Sequence, residues 1–351
     1  MALIKVKNKL CFYFLIIIIF ILISFITKQI LFIYNKNQII IEVDISKSFL
    51  DGEGPIQIVK SLRDILPYET EKCKFIPSKS ITPINGRNKS DYFYFPFPCL
   101  AESVYEEWNK INRAKSLLLG PYFVPTIWNY FPYQGFWNEK RFKEILKTIK
   151  GIVVHSKRIR KYLSSKSNTT DLLYKYKFLR PCTNLIPKYI KNFENRTIDI
   201  IYFEKFDDLD KRKQSEKLLN YFNKTNLTIE RITFRTYRKN NTRERIMKLA
   251  NNTKFIIYYS FYDIGGITLK EIQNYGVFCF THEEDFVLNE ETTFLIPELH
   301  NDNNMKPAFD KIIKIIQRIS NSHPNIQLIA KINQDVNKCQ RAFDDLCRGI
   351  I

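Results

Sequence analysis

The sequence predicts an α/β protein built from two parallel sheets, each covered by helices on both faces, that face each other across a cleft behind an N-terminal transmembrane helix. Three observations carry this reading: short apolar runs alternating with helix-patterned stretches, a proline-bracketed break near the middle, and a long apolar run close to the N-terminus. At 351 residues the chain has material for two compact domains.

The N-terminal run comes first. Leu10 to Ile26 is apolar except for Ser24, Lys5, Lys7 and Lys9 precede it, and a second patch, Ile30 to Tyr34, extends it. A bilayer is crossed by about 20 apolar residues, and flanking lysines stay in the cytosol. Residues 1–9 are therefore expected to form a cytosolic tail and residues 10–34 an uncleaved signal anchor. This makes the chain a single-pass type II membrane protein, its bulk in the lumen of the Golgi or endoplasmic reticulum. The alternative is the cleaved signal of a secreted protein, which needs a small-residue cleavage site; no A-x-A-like site follows. Sequons stand at Asn88, Asn168, Asn195, Asn223, Asn226, Asn240 and Asn251, as suits a luminal chain. Cys11 lies in the span; Cys73, Cys99, Cys182, Cys279, Cys339 and Cys347 are an even set, which permits disulfides without revealing their pairing.

Beyond the anchor, the stretch from Ile39 to Ile45 reads as a strand, and Gly54-Pro55 opens a helix with Ile58, Leu62, Ile65 and Leu66 at helical spacing. Further strands are predicted at Cys73 to Ile76, Tyr92 to Phe95, Ser116 to Leu119 and Gly151 to Val154, with a helix from Phe136 to Ile149. A basic helix, Lys157 to Leu163, and a weak strand, Lys175 to Leu179, complete a domain over 38–185. Arg180 to Pro187 reads as a linker, because two prolines bracket a short polar stretch.

A second series then runs over 190–334: strand Asp199 to Phe203, helix Lys211 to Phe222, strand Thr228 to Phe234, helix Arg243 to Leu249, strand Phe255 to Tyr259, a glycine turn with its helix, and strand Gly276 to Thr281. Pro297 ends a run at Thr293 to Ile296, a helix follows at Ala308 to Ile319, and a C-terminal helix is expected within 335–351.

The glycine turn is the most informative stretch. Asp263, Gly266, Glu271 and Gly276 form D-x-x-G-x-x-x-x-E-x-x-x-x-G directly after the buried-strand run Phe255 to Tyr259. Carboxylates accept paired hydrogen bonds from vicinal diols, and the Gly265-Gly266 backbone can approach a ligand closely. The pattern resembles the donor-site motif of nucleotide-sugar glycosyltransferases of the GT-B fold, whose retaining members carry E-x7-E; here Asp263 stands where the first glutamate is usual. The resemblance implies two Rossmann-like domains, acceptor-binding first and donor-binding second. It implies that Asp263 contacts the transferred sugar and Glu271 the ribose hydroxyls. Where that family places diphosphate-binding cations, this chain offers Lys205 and Lys211, with Arg212 and Lys213 as adjacent substitutes.

His155 ends the strand Gly151 to Val154 and could polarise a sugar hydroxyl or phosphate from the cleft, or serve as a structural histidine. Asp208-Leu209-Asp210 has a metal-binding D-x-D spacing but lies at a helix start amid lysines, where acids suit the dipole. The net charge of +19 is spread without a long basic block, and no zinc, helix-turn-helix or RNA-binding signature accompanies it, so nucleic acid is not an expected partner. No G-x-S-x-G or H-E-x-x-H is present.

The sequence thus leads to a glycosyltransferase that moves a sugar from a nucleoside diphosphate sugar to a hydroxyl acceptor on a glycan, protein or lipid. The donor is a substrate, with no cofactor or metal, and the bilayer is a partner through residues 10–34. The rival reading is a membrane-tethered carbohydrate-binding protein that keeps the fold without the chemistry.

Overall fold

The computed structural model describes residues 17–28, 38–45, 65–78, 91–96, 105, 117–120, 139–155, 157–180, 182–204, 209–233, 243–259, 266–282, 284, 287, 289–297 and 302–351. Of the apolar segment 10–34 the described part is a helix at 17–28 whose large apolar side chains, Ile17 to Ile26, are exposed. Among the described residues no helix is long and apolar enough to cross a membrane.

The first sheet contains β1 (Ile39–Asp44), β2 (Tyr68–Glu69), β3 (Cys73–Ser78), β4 (Tyr92–Phe95), β5 (Leu117–Leu119), β6 (Gly151–Val154) and β7 (Tyr176–Phe178), in the order β2-β3-β1-β4-β5-β6-β7. All neighbours are parallel except β2, which pairs antiparallel with β3. Alternate residues of these strands point to opposite faces. Phe93, Phe95, Leu117, Leu119, Ile152 and Val154 meet Phe142, Ile145 and Leu146 of α1 (Glu139–Thr148) and Ile159 and Leu163 of α2 (Lys157–Lys166).

The opposite face, with Ile41, Val43, Phe75, Tyr94, Leu118 and Val153, is covered from the far end of the chain. Ala342, Phe343, Leu346 and Ile350 of the last helix, Cys339–Ile350, form that cover. Two disulfides hold it there, Cys73 to Cys347 and Cys182 to Cys339. Cys279 is a buried free thiol, and burial pushes its pKa well up.

The second sheet contains β8 (Ile198–Glu204), β9 (Ile229–Thr233), β10 (Thr253–Tyr259), β11 (Phe278–Thr281) and β12 (Thr293–Leu295), all parallel, in the order β12-β11-β10-β8-β9. Strands buried on both faces read as continuous apolar runs, as Ile200 to Phe203 and Phe255 to Tyr259 do. Ile200, Tyr202, Phe255 and Ile257 pack toward α3 (Leu209–Phe222) and α6 (Met305–Asn321). Ile201, Phe203, Ile256 and Tyr258 pack toward α4 (Arg243–Asn251) and α5 (Ile267–Gln273).

The chain ends differently from the expected single C-terminal helix over 335–351. Helix α7 (Ile326–Asn337) stops at Lys338, whose extended backbone (ψ 129°) separates it from α8 (Cys339–Ile350). Asn325 caps α7 by accepting the Leu328 N–H at 3.1 Å. The two helices serve different sheets: Asn333 and Gln334 of α7 donate to the carbonyls of Gln273 and Asn274, whereas α8 lies on the first sheet.

Gly276 makes the α7 contact possible. Its φ is +73°, and an added Cβ would meet the Ile326 methyl at 2.7 Å and its carbonyl at 2.9 Å. Gly276→Ala is expected to cost about 1–3 kcal/mol from backbone strain and overpacking. A urea melt checks this, and an unchanged midpoint contradicts it. Replacing Cys182 and Cys339 by serine is expected to cost about 2–5 kcal/mol, since the bridge closes a long loop. Reductant added to the parent protein should lower its melting temperature and have less effect on the variant.

Candidate functional site

The second sheet winds outward from β8 to β9, then crosses back over β8 to β10. The winding reverses between β8 and β10, and in open parallel sheets the crevice outside the C-terminal strand ends at that reversal is where ligands bind. Glu204 and Tyr259 are paired neighbours at that edge. The first sheet reverses in the same way between β1 and β4, where the fully buried Asp44 ends β1.

Glu204 is held from several sides. It accepts a hydrogen bond from Ser215 of α3 and from Arg231 Nε of β9 at 3.0 Å, and Arg231 also reaches Glu216 at 2.6 Å. Ser215 Oγ meets the buried Tyr202 hydroxyl at 3.1 Å. Burial pushes the Glu204 carboxyl above the usual range, and the bonds from Ser215 and Arg231 oppose that shift. The network fixes the end of β8 against α3 and β9, just before the segment that follows. His282, immediately after β11, sets its ring edge-on to Tyr259 at 5.8 Å.

Gly266 begins α5 with φ 53° and ψ 37°, a left-handed conformation that costs glycine nothing. The next residues are unusually buried for a polar stretch: Lys270, Glu271, Gln273 and Asn274 are each 3% exposed or less. Glu271 is bound by Arg243, the first residue of α4: Nε donates to Oε2 at 3.1 Å and Nη2 donates to Oε1. Burial, followed by the Glu271 charge, raises the neighbouring Tyr275 hydroxyl.

Of the residues the sequence singles out, Gly266 and Glu271 are together on α5. Lys211 lies in the first turn of α3. Lys205, Asp263, Gly265 and Asp208 lie outside the described residues. His155 is on the other sheet, directly after β6, buried, with Nδ1 2.6 Å from the Leu179 carbonyl. A carbonyl only accepts, so Nδ1 carries the proton and in the neutral ring Nε2 keeps the lone pair. Among the described residues no His, Cys, Asp and Glu side chains group to hold a metal.

Sequence reasoning missed Arg243, Arg231, Glu204 and His282. One signal was available for the first two: a cation is needed wherever a carboxylate is buried.

No protein-family model matches the chain, and no curated protein matches it. Solved structures similar to it include sucrose-phosphate synthase from Thermosynechococcus elongatus, at 11% identity and TM-score 0.49, covering 89% of this chain and 98% of that one. The lipopolysaccharide outer core galactosyltransferase WaaB in its apo form gives 9% identity and TM-score 0.47, covering 88% and 98%. The pneumococcal O-GlcNAc transferase GtfA in complex with UDP and GlcNAc gives 14% identity and TM-score 0.41, covering 75% of this chain and 55% of that one. Likeness of this degree assigns neither activity nor substrate; those rest on the chain's own residues.

Removing Arg243 leaves a buried carboxylate without its guanidinium. The Glu271 side chain is 4% exposed and that of Arg243 is 44% exposed, so solvent screens the pair in part. Arg243→Met is expected to cost about 1–3 kcal/mol. Adding Glu271→Gln should recover part of that loss in a double-mutant cycle; strictly additive losses contradict the pairing.

Proposed function

We propose that the chain is a glycosyltransferase that moves a sugar from a nucleoside diphosphate sugar to a hydroxyl acceptor, with the donor held by the second sheet. The observation that carries this reading is the buried, guanidinium-held carboxylate of Glu271 on the helix that follows β10, at the edge where the winding reverses. A carboxylate locked in one orientation is preorganised to accept hydrogen bonds from a vicinal diol, and it has lone pairs beyond those Arg243 occupies. In this reading Glu271 receives the ribose hydroxyls, the Gly265-Gly266 backbone lies along the donor, and Asp263 contacts the transferred sugar.

Transfer forms a bond from the acceptor oxygen to the anomeric carbon and breaks the bond from that carbon to the diphosphate, which leaves with the electron pair. Lys205 and Lys211 offset the charge that develops on the diphosphate. His155, with Nε2 as its lone-pair nitrogen, accepts a hydrogen bond from a hydroxyl and so polarises it from the first sheet. Resemblance of the Asp263-to-Glu271 pattern to the E-x7-E motif of retaining glycosyltransferases favours retention of anomeric configuration. No metal is needed in this scheme.

The proposed setting is the lumen of the Golgi or endoplasmic reticulum, behind a type II anchor at residues 10–34. The apolar run with its preceding lysines supports the anchor. Two disulfides support an oxidising compartment.

A second reading keeps the binding and drops the chemistry. It is favoured by the engagement of both Glu271 oxygens with Arg243 and by aspartate at position 263.

A thermal-shift screen of the protein with UDP, GDP and their sugars tests the site. One nucleotide series should stabilise the protein by RT ln(1 + [L]/Kd), about 2.7 kcal/mol at a hundredfold excess over Kd, and so raise its melting temperature. Glu271→Ala should abolish that shift. Retention of the shift in Glu271→Ala removes Glu271 from the site, and a shift without release of nucleoside diphosphate in the presence of acceptors selects the binding-only reading.

A further inference from the structure

Each described sequon lies at the N-terminal strand-end edge of its own sheet. In a parallel sheet the helix-to-strand connections lie at the N-terminal strand ends and the strand-to-helix connections, which form ligand sites, at the C-terminal ends. Asn168 follows α2 and precedes β7; Asn195 directly precedes β8; Asn223 and Asn226 lie between α3 and β9; Asn251 is the last residue of α4, before β10. Asn195, Asn223, Asn226 and Asn251 are on the edge of the second sheet opposite Glu204, Tyr259, Gly266 and Glu271, and Asn168 is on the corresponding edge of the first sheet. Asn88 and Asn240 lie outside the described residues.

Their surroundings divide them. Asn168, Asn195, Asn223 and Asn226 are exposed, and so are the hydroxyl residues Thr170, Thr197 and Thr228 of three of these sequons. Asn168 stands in a left-handed turn with φ 50°, its carbonyl held by Lys143 Nζ. Asn251 differs: its Oδ1 accepts the Lys191 N–H at 2.9 Å, and its sequon threonine, Thr253, is fully buried with its hydroxyl on the Leu249 carbonyl at 2.7 Å.

We propose that Asn168, Asn195 and the Asn223–Asn226 pair carry N-linked glycans, that Asn251 does not, and that the glycans cover the strand-entrance edge of each sheet, which in the second sheet is the edge opposite the donor crevice. The proposal rests on the luminal placement given above. At each site the asparagine Nδ2 forms a bond to the anomeric carbon of a lipid-diphosphate-linked oligosaccharide. The bond from that carbon to the diphosphate breaks, the lipid diphosphate leaves with the electron pair, and the Nδ2 proton passes to a base of the host's transferring enzyme. Glycans are bulky and solubilising, so they are tolerated where the folded chain leaves the asparagine in water. Here they shield the strand entrances and leave the strand exits open to donor and acceptor.

The test is site occupancy on the full chain made with microsomes and in a eukaryotic secretory host. Peptide N-glycosidase treatment in heavy-oxygen water marks each occupied asparagine as a labelled aspartate, and peptide mapping reads it. Label is expected at Asn168, at Asn195 and at one or both of Asn223 and Asn226, with none at Asn251. A variant with Asn168, Asn195, Asn223 and Asn226 changed to Gln should lose the glycan mass carried at those sites and keep the same nucleotide-induced thermal shift as the parent. A chain protected from external protease yet unlabelled at the proposed asparagines overturns the proposal alone. A chain that is unlabelled and digested overturns it together with the luminal placement, while the nucleotide shift still reports on the donor site. Labelling of Asn251 to the same extent as the others contradicts the distinction drawn from its hydrogen bonds.

Discussion

A parallel sheet has no face that it can leave in water, and the cover of the first sheet depends on that constraint. Its strands are apolar on both sides, yet the local helices α1 and α2 cover only one. The other side is closed by α8, the last helix of the chain, through Phe343, Leu346 and Ile350 on Phe75, Tyr94 and Val153. The first unit is therefore discontinuous, formed by an early segment and by the final turns of the chain. The two bridges at Cys347 and Cys339 hold the cover in place, and the second ties it to the residues that leave the first sheet. Both passages between the sheets, near Cys182 and at Lys338, are thereby stitched at one point.

The same covering rule shapes the second sheet and its crevice. Because β10 sits beside β8 with β9 on the other side, the helices that follow β8 and β10, α3 and α5, lie on opposite faces of the sheet. Polar groups bring the elements there into fixed relation: Glu204 joins β8 to β9 and α3, and Glu271 joins α5 to α4. Behind α5, the close approach of α7 at Gly276 and the buried Arg196, which donates to the carbonyls of Lys191, Thr253 and Tyr275, hold the opposite edge. Orientation at the crevice is thus set by contacts made several elements away.

Local pattern explains what the sequence revealed. Tyr92–Phe95, between Asp91 and Pro96, and Gly151–Val154, between Lys150 and His155, are short apolar runs, and both strands fall where the runs fall. Glu271 and Gly276 announced themselves by spacing, and the reason for the second glycine is now a left-handed turn under α7. Long-range pairings left no local mark. The cysteine partners and the Arg243 clamp on Glu271 follow from where distant segments meet, and the two-residue β2 is too short to show an alternating pattern. The C-terminal reading placed one helix from residue 335, and so met α8 but neither the start of α7 at Ile326 nor the break at Lys338.

Amide hydrogen exchange, followed by mass spectrometry on the full chain with and without the nucleoside diphosphate that stabilises it, tests the donor-site assignment most directly. Protection is predicted in the segments that follow β8 and β10 and at the starts of α4 and α5, with the strands of the first sheet unchanged. Protection confined to the first sheet, or none at a saturating concentration, would contradict a donor site at the reversal between β8 and β10.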